Sequence, residues 1–248
     1  MKRWIHIILA AVLCLASASC SKALYGTGQA SALQATKVAP GIVRASEVPA
    51  LFAAMGVQYH TVSSINWPDK YPYLPRFEVA IAHNGQNILI HYRVTDKTTT
   101  GTIERDLGRV YTESCCEIFL WDNSLQQYYN IEANCIGSIL MQCGASRGGK
   151  RDRATAETLA LIDRWSSLGR KSVGTIEHEV GWEMALVIPT KALWKTHVAE
   201  LDGKQFKANV YYCSETGDEH HYVSMFPIDT PSPDFHRPEF FRPLIFTR

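Results

Sequence analysis

The sequence predicts an all-β fold, an antiparallel two-sheet β-sandwich of jelly-roll-like type with minor helix. About eight or nine short stretches alternate apolar and polar residues with the period of two that strands require. Strand-like segments do not alternate with long helical segments along the chain, and this disfavours a parallel α/β sheet. The chain beyond its N-terminal leader has about 230 residues, enough for one sizeable core of this kind.

The N-terminus has the pattern of a secretory signal peptide over residues 1–19. Lys2 and Arg3 precede an apolar run from Ile5 to Leu15 that is too short to span a bilayer. Cleavage after Ala18 and cleavage before Cys20 both fit the small residues that follow. The second is favoured, since a cysteine at this point suits lipid attachment. We therefore expect an exported lipoprotein, in the periplasm or at the outer membrane, with the lipid as its only membrane contact.

Residues 20–56 are predicted to be the lipid anchor and a tether. The tether is small and polar to about Val43, and a short helix is expected from Ser46 to Gly56, where glycine can end it. The sandwich itself is predicted to span residues 57–248. No second domain or internal repeat is indicated.

Within the sandwich, turn and breaker residues separate the predicted strands. Asn84 and Gly85 form a hairpin signal between two β-rich runs, and Pro189 ends a third run because proline lacks the ladder donor. A short helix follows that proline, over 190–194. Loops are expected at 98–111 and 144–155. Strands are predicted at 77–83, 87–95, 139–143, 182–188, 206–213 and 222–226, together with a central hairpin within 113–137.

The second half of the central hairpin alternates so regularly that its two faces can be assigned. Odd positions carry core residues, whereas even positions present a ring, two amides and a carboxylate. Polar groups of this kind, next to an aromatic ring, are typical of a sugar-binding surface. The even positions are Tyr128, Asn130, Glu132 and Asn134.

Glu117 is expected opposite or diagonal to Glu132 if the polar faces of the hairpin coincide. Two opposed carboxylates repel, which raises at least one pKa and calls for a positive partner. That partner could be Arg105 or Arg147, or a calcium ion held by oxygen ligands. The pair could instead be the acid and nucleophile of a glycosidase. No other cofactor is indicated.

Aromatic side chains that could stack on a pyranose ring are spread along the chain. Trp67 is the first candidate because it precedes a proline-rich crossing and should lie near a sheet end. His236 lies between prolines and aromatics and is interpreted as a structural hydrogen-bonding residue. Further stacking candidates are Tyr71, Tyr73, Trp121 and Trp165.

Charge and cysteine content exclude several classes of protein. A formal net charge of +1 provides no polycationic field for nucleic acid, so no nucleic-acid partner is expected. No CxxC, HExxH, complete P-loop or dinucleotide motif is present. An odd number of cysteines beyond Cys20 argues against a full disulfide framework, and we interpret them as small buried residues. The oligomeric state is not predicted.

Several motifs follow one another along the chain. They are Trp67 before the proline-rich crossing, ESCCEIFL, YYNIEANCIG, GASR, WEMALVIP, FKANVYYC, PDFHRPEFF and a final LIF strand. In this order they resemble the family 9 carbohydrate-binding modules, in particular the stand-alone exported proteins of Bacteroidetes. The resemblance covers about Val57 to Phe246.

The resemblance implies a non-catalytic β-sandwich that binds a carbohydrate ligand and supports glycan capture or degradation, with structural calcium in some members. Two alternatives stay open: a glycoside hydrolase using Glu117 and Glu132, and a haem-binding sandwich in which Met184, Met225 and a histidine ligate iron. The predicted carbohydrate-binding residues are Trp67, Arg105, Asn130, Glu132, Asn134 and Arg147.

Overall fold

The computed structural model describes residues 32–248. The predicted signal peptide, the lipid attachment at Cys20 and the first part of the predicted tether lie outside these residues. No helix within the described range is long and apolar enough to cross a membrane.

The described chain is mostly β-strand, with two short α-helices and four short 3-10 turns. The strands of its first half are β1 (Leu33–Lys37), β2 (His60–Thr61), β3 (Ser64–Ile65), β4 (Arg76–His83), β5 (Asn87–Asp96), β6 (Thr99–Gly101), β7 (Cys115–Asp122) and β8 (Gln127–Asn134). The strands of its second half are β9 (Ile139–Gly144), β10 (Arg151–Arg153), β11 (Asp163–Ser166), β12 (Gly174–Ile176), β13 (Val180–Pro189), β14 (Gln205–Ser214), β15 (His221–Ser224) and β16 (Arg242–Phe246). The helices are α1 (Val48–Met55) and α2 (Ala156–Ala160), and the 3-10 turns are Ala45–Glu47, Val110–Thr112, Thr190–Ala192 and Pro238–Phe240.

One large curled sheet forms the body of the fold, in the order β10-β9-β8-β7-β14-β16-β1-β4-β5-β13-β11. Strand β1 divides it into a first arm, from β10 to β16, and a second arm, from β4 to β11. Strand β15 branches from β14 and pairs with β3, β2 pairs with β4, and β12 and β6 form a separate small sheet. The curl is consistent with a β-sandwich.

Strand β1 joins the two arms and makes the sheet mixed. Leu33 to Ala35 pair with β16, and Thr36 and Lys37 pair with β4, both in parallel. All other described pairings are antiparallel. The predicted purely antiparallel arrangement is therefore wrong at β1, because this strand comes from a polar segment that the sequence analysis assigns to the tether.

The main core lies between the two arms. The first arm contributes Ile118, Ile131 and Val210, the second contributes Ile90 and Leu186, and all five are fully buried. Alternation within each strand places these residues on the inner face. The two arms thus enclose one continuous apolar layer, as the sequence pattern predicts.

Residues 45–56 also belong to the folded unit. Helix α1 follows a 3-10 turn and ends at Gly56, whose φ of 62° is the left-handed conformation that glycine adopts readily. Val48 and Phe52 are fully buried against the outer face of the second arm, which presents residues such as Ala80 and Leu89. The predicted helix is confirmed, but the folded unit begins well before residue 57.

The outer face of the first arm is covered as well. Its apolar residues form a second cluster with the segment 228–241, which crosses over the strands. Phe235 from this segment stacks on Tyr211 of β14, with ring centroids 4.2 Å apart and an interplanar angle of 9°. Strands β7, β8 and β14 are consequently buried on both faces.

We expect a variant that begins at Val57 to lose cooperative thermal unfolding, because it lacks β1 and α1. Leu33 and Phe52 are fully buried, and each such side chain contributes about 2–5 kcal/mol, out of a total stability of about 5–15 kcal/mol. A variant that begins at Ala32 retains both elements and is the control. Equal melting temperatures for the two variants, measured by circular dichroism, would show that residues 32–56 are a dispensable tether.

Candidate functional site

The central hairpin pairs in the register that the sequence predicts. Glu117 of β7 lies directly opposite Glu132 of β8, and Phe119 lies opposite Asn130. On the other side of β7, Tyr211 of β14 is the partner of Glu117. The predicted polar face is thus the outer face of the first arm, where it alternates with aromatic residues.

A cavity of about 180 Å³ opens over this pair of glutamates. Strands β7, β8, β9 and β14 form its floor, β15 forms one wall, and the covering segment 228–241 forms the opposite wall. We call it the glutamate pocket. It is lined by Tyr111, Glu117, Glu132, Leu140, Gln142, Arg147, Cys213, Glu215, Tyr222, Pro233, Asp234, Phe235 and His236.

Both carboxyl groups at the floor are almost completely buried, Glu117 at 2% exposure and Glu132 at 3%. One Glu132 oxygen, Oε1, accepts a hydrogen bond of 2.7 Å from Asn130 Nδ2. The other, Oε2, has no hydrogen-bond partner within residues 32–248. A buried polar atom without a partner is costly, so a hydrogen-bond donor that reached this oxygen from the cavity would be favoured.

Burial controls the protonation of the pair. It raises the pKa of Glu132 to about 7, although the hydrogen bond from Asn130 and the charges of Arg151 and Arg147 act in the opposite direction. Burial, with Cys213 and Glu132 nearby, raises the pKa of Glu117 well above its ordinary value. The Cys213 thiol donates to Glu117 Oε1 over 3.3 Å. The pair is therefore a potential donor of hydrogen bonds as well as an acceptor.

Two arginines lie near the pair, and neither forms an ion pair with it. Arg147 lines the pocket, but it donates to Asp234 Oδ1 over 3.1 Å, and its side chain is 62% exposed. Arg151, which the sequence analysis misses, stacks over the Tyr128 ring at 4.1 Å and donates to Asn130 Oδ1. Within the described residues, no lysine or arginine nitrogen lies within 4.0 Å of either glutamate.

The other predicted site residues lie outside the pocket lining. Arg105 is exposed on the loop after β6. Asn134 is buried, and its Nδ2 donates to Ile103 O and Glu113 Oε2, which holds that loop in place. Trp67 is packed behind the wall: its Nε1 donates to Thr230 O, and its ring meets the edge of Tyr222 at 6.2 Å.

Several lining residues come from segments that the sequence analysis does not connect with the site. Gln142 could have been found, because it is the cross-strand partner of Asn130 on β9. Tyr222, Asp234 and His236 come from distant segments and carry no local signal. His236 forms a hydrogen bond of 2.8 Å with the Tyr128 hydroxyl, and burial lowers its pKa to about 3. It is neutral, and it has the structural role predicted for it.

Larger clefts lie at the far end of the molecule. One, of about 870 Å³, is bounded by residues such as Ile42 and Asn84, and another, of about 750 Å³, by residues such as Trp194. Neither is lined by a buried polar side-chain atom that lacks a partner. A third cleft, of about 490 Å³, is lined by Arg93 and Trp182, whose Nε and Nε1 atoms also lack hydrogen-bond partners. The smaller glutamate pocket is the better candidate because its floor is a pair of buried carboxyl groups beside aromatic walls.

The model of carbohydrate-binding family 9 matches residues 46–246. The match covers most of the chain and nearly all of the described fold. The protein belongs to carbohydrate-binding family 9.

Solved structures of other proteins resemble this family 9 chain. A Bacteroides uniformis protein proposed to bind carbohydrate is 36% identical, with a TM-score of 0.83, over 87% of this chain and 98% of that one. A family 9 module from Caldicellulosiruptor kristjanssonii, in complex with glucose, is 12% identical, with a TM-score of 0.56 over 87% and 96% of the two chains. The corresponding cellotriose complex has 11% identity and a TM-score of 0.54 over 87% and 93%. No protein of curated function matches the sequence.

The family 9 fold in this chain does not offer a calcium site at the glutamate pair. Calcium takes about six to eight oxygen ligands, whereas the floor of the pocket supplies two carboxyl groups and a thiol. Among the described residues, no group of three or more His, Cys, Asp or Glu side chains could hold a metal ion. The pair therefore does not fit the calcium alternative.

The methionines considered for haem ligation lie in the main core. Met184 is fully buried and Met225 is 4% exposed, and both belong to the apolar cluster between the arms. Neither of them lines the glutamate pocket. Their placement gives no support to the haem alternative.

Replacing Glu132 with Gln should change the pH dependence of stability. Because the native pKa is raised from 4.5 to about 7, the contribution of Glu132 to wild-type stability is fully present below pH 4.5 and is lost as pH rises through about 7. The loss is about 3 kcal/mol, at about 1.4 kcal/mol per pKa unit. Gln cannot ionise, so the variant should lack this loss.

Urea unfolding at pH 5 and pH 8 measures the effect. Glu177→Gln, at an exposed position, is the matched control and should behave as wild type. Our interpretation of the buried pair is wrong if wild type and Glu132→Gln lose the same free energy of unfolding between the two pH values.

Proposed function

We propose that the protein binds a saccharide in the glutamate pocket without cleaving it. Family membership supports carbohydrate binding, and related modules are known in complex with glucose and cellotriose. The observation that carries the proposal is the partnerless Glu132 Oε2 at the floor of a cavity with aromatic walls. A sugar hydroxyl would supply the missing partner.

The pocket offers both kinds of contact that a pyranose needs. Tyr111, Tyr222 and Phe235 present ring surface to the apolar C–H groups of a sugar, while Gln142 and the glutamates provide amide and carboxyl groups for hydroxyls. Few polar groups in a largely apolar lining are typical of small-molecule sites. Trp67 supports the wall from behind instead of stacking on the ligand.

The size of the pocket favours one sugar ring. Sites for drug-sized ligands occupy about 300–1,000 Å³, whereas this cavity measures about 180 Å³. An extended glycan would not be enclosed. We therefore propose that the pocket accepts a terminal or single sugar unit, with any remaining chain directed to solvent.

The state of the two carboxyl groups argues against hydrolysis. A retaining glycosidase requires an ionised nucleophile beside a protonated acid. Here, burial raises the pKa of Glu132 to about 7 and raises that of Glu117 well above its ordinary value, so neither carboxyl group is fully ionised at neutral pH. We therefore propose that Glu117 and Glu132 bind the sugar without catalysing its hydrolysis. The protein should not hydrolyse aryl glycosides.

A jelly-roll-like sandwich is the fold that we propose for presenting this pocket. Two observations support this fold. The two arms face each other across one core, and strands β7, β8 and β14 are buried on both faces. In such a sandwich, the pocket lies on the outer face of one sheet, beneath a covering segment.

We expect Gln142→Ala to weaken sugar binding about fivefold to tenfold, which corresponds to the loss of one hydrogen bond of about 1 kcal/mol. A glycan array on residues 21–248 identifies the ligand, and isothermal titration calorimetry measures the affinity. Gln34→Ala, at an exposed position of strand β1, is the matched control and should bind as wild type. Binding that is unaffected by Gln142→Ala and by Tyr222→Ala would place the sugar elsewhere.

We further propose that the protein is exported and anchored by lipid on Cys20. The charged, apolar and small-residue segments before this cysteine support the proposal. Labelling of bacterial cells that express the full chain with a palmitate analogue should mark wild type, but not Cys20→Ala. A soluble, unlabelled wild-type protein in the periplasm would instead favour cleavage after Ala18.

A further inference from the structure

The glutamate pocket is lined by more acidic than basic side chains. Four carboxyl groups line it, those of Glu117, Glu132, Glu215 and Asp234, against one guanidinium, that of Arg147. Two of the acids are already partnered at the rim: Asp234 pairs with Arg147 at 3.1 Å, and Glu215 accepts from the Tyr222 hydroxyl at 3.0 Å. Glu117 and Glu132, the two buried acids, therefore determine which ligand charge the floor of the pocket prefers.

The floor lacks a cation of its own. Glu117 accepts only a thiol hydrogen bond, and Glu132 Oε2 accepts none within the described chain. Arg151, the nearest unassigned candidate, is held away by its stacking on Tyr128 and its bond to Asn130. A cation between two opposed carboxyl groups stabilises their ionised forms, so a positive group bound here would lower both raised pKa values.

We propose that the preferred ligand of the glutamate pocket is an amino sugar with a free primary ammonium group. This inference rests on the proposed function and specifies its ligand class. The ammonium has three donors and no acceptor, so it can donate to Glu132 Oε2 and to Glu117 at once. The C–H face of the ring then lies against Tyr222 and Phe235.

Other ligand charges fit the floor less well. A uronic acid would place a third carboxyl group beside Glu117 and Glu132, and the ionised form of each group disfavours the ionised form of its neighbours. A neutral hydroxyl can donate only one hydrogen bond, and an N-acetyl group replaces the ammonium with an uncharged amide. A bare metal ion would find too few oxygen ligands.

Calorimetry at pH 7 with matched sugars tests the inference. The probes are glucose, galactose and mannose, their 2-amino-2-deoxy derivatives, the corresponding uronic acids, and the disaccharide pair cellobiose and its diamino analogue. At least one amino sugar should bind tenfold to a hundredfold more tightly than its parent, roughly 1.4–2.8 kcal/mol. The uronic acids should bind more weakly than the parents.

Variants of Glu117 and Glu132 test whether these two residues cause the preference for amino sugars. Glu132→Gln should reduce the ratio of amino-sugar to parent affinity to about one, whatever its effect on the affinity for the parent sugar. Glu117→Gln provides a second variant if the first fails to fold. Glu177→Gln, an exposed site, should retain the wild-type ratio. A ratio that persists in both floor variants would overturn the assignment.

The outcomes separate the two proposals. Parent sugars that bind as well as or better than amino sugars would overturn the amino-sugar inference and leave carbohydrate binding intact. Absence of binding to every sugar on the array and to every probe would overturn both. An amino-sugar preference that wild type shows and Glu132→Gln loses supports both.

Discussion

The pairing of β7 with β8 in the register that opposes Glu117 to Glu132 is the constraint on which the site depends. One residue of slippage would turn every side chain of one strand to the other face. The inner face must contribute Ile118 and Ile131 to the core, so this register is strongly specified. Two carboxyl groups are therefore forced together on the outer face, whatever lies above them.

The covering segment gives that pair its chemistry. Residues 228–241 lie over the outer face and bring Phe235 onto Tyr211, leaving a small gap above the glutamates. In open solvent, two opposed carboxylates would be hydrated and ionised. Under this cover, they are almost fully buried and their pKa values rise. The same packing thus encloses the pocket and controls the protonation of its floor.

Much of this fold follows from local patterns. The hairpin at Asn84 and Gly85, the strand that ends at Pro189 and the helix that ends at Gly56 are confirmed because turn and cap geometry is set by neighbouring residues. Strand β1 was missed because its pairing is decided by distant strands β16 and β4. Its five residues, LQATK, carry too short an alternation to be distinguished from a tether.

The sequence by itself determined which side chains share a face, because a strand alternates with a period of two whatever surrounds it. It also led to the family, through the order of its motifs. Only the tertiary structure decided that Arg151 and not Arg105 lies beside the polar face, that Trp67 stands behind the wall, and that Tyr222 and Asp234 complete the pocket. These placements depend on contacts between segments far apart in the chain, and no local pattern encodes which loop covers which face.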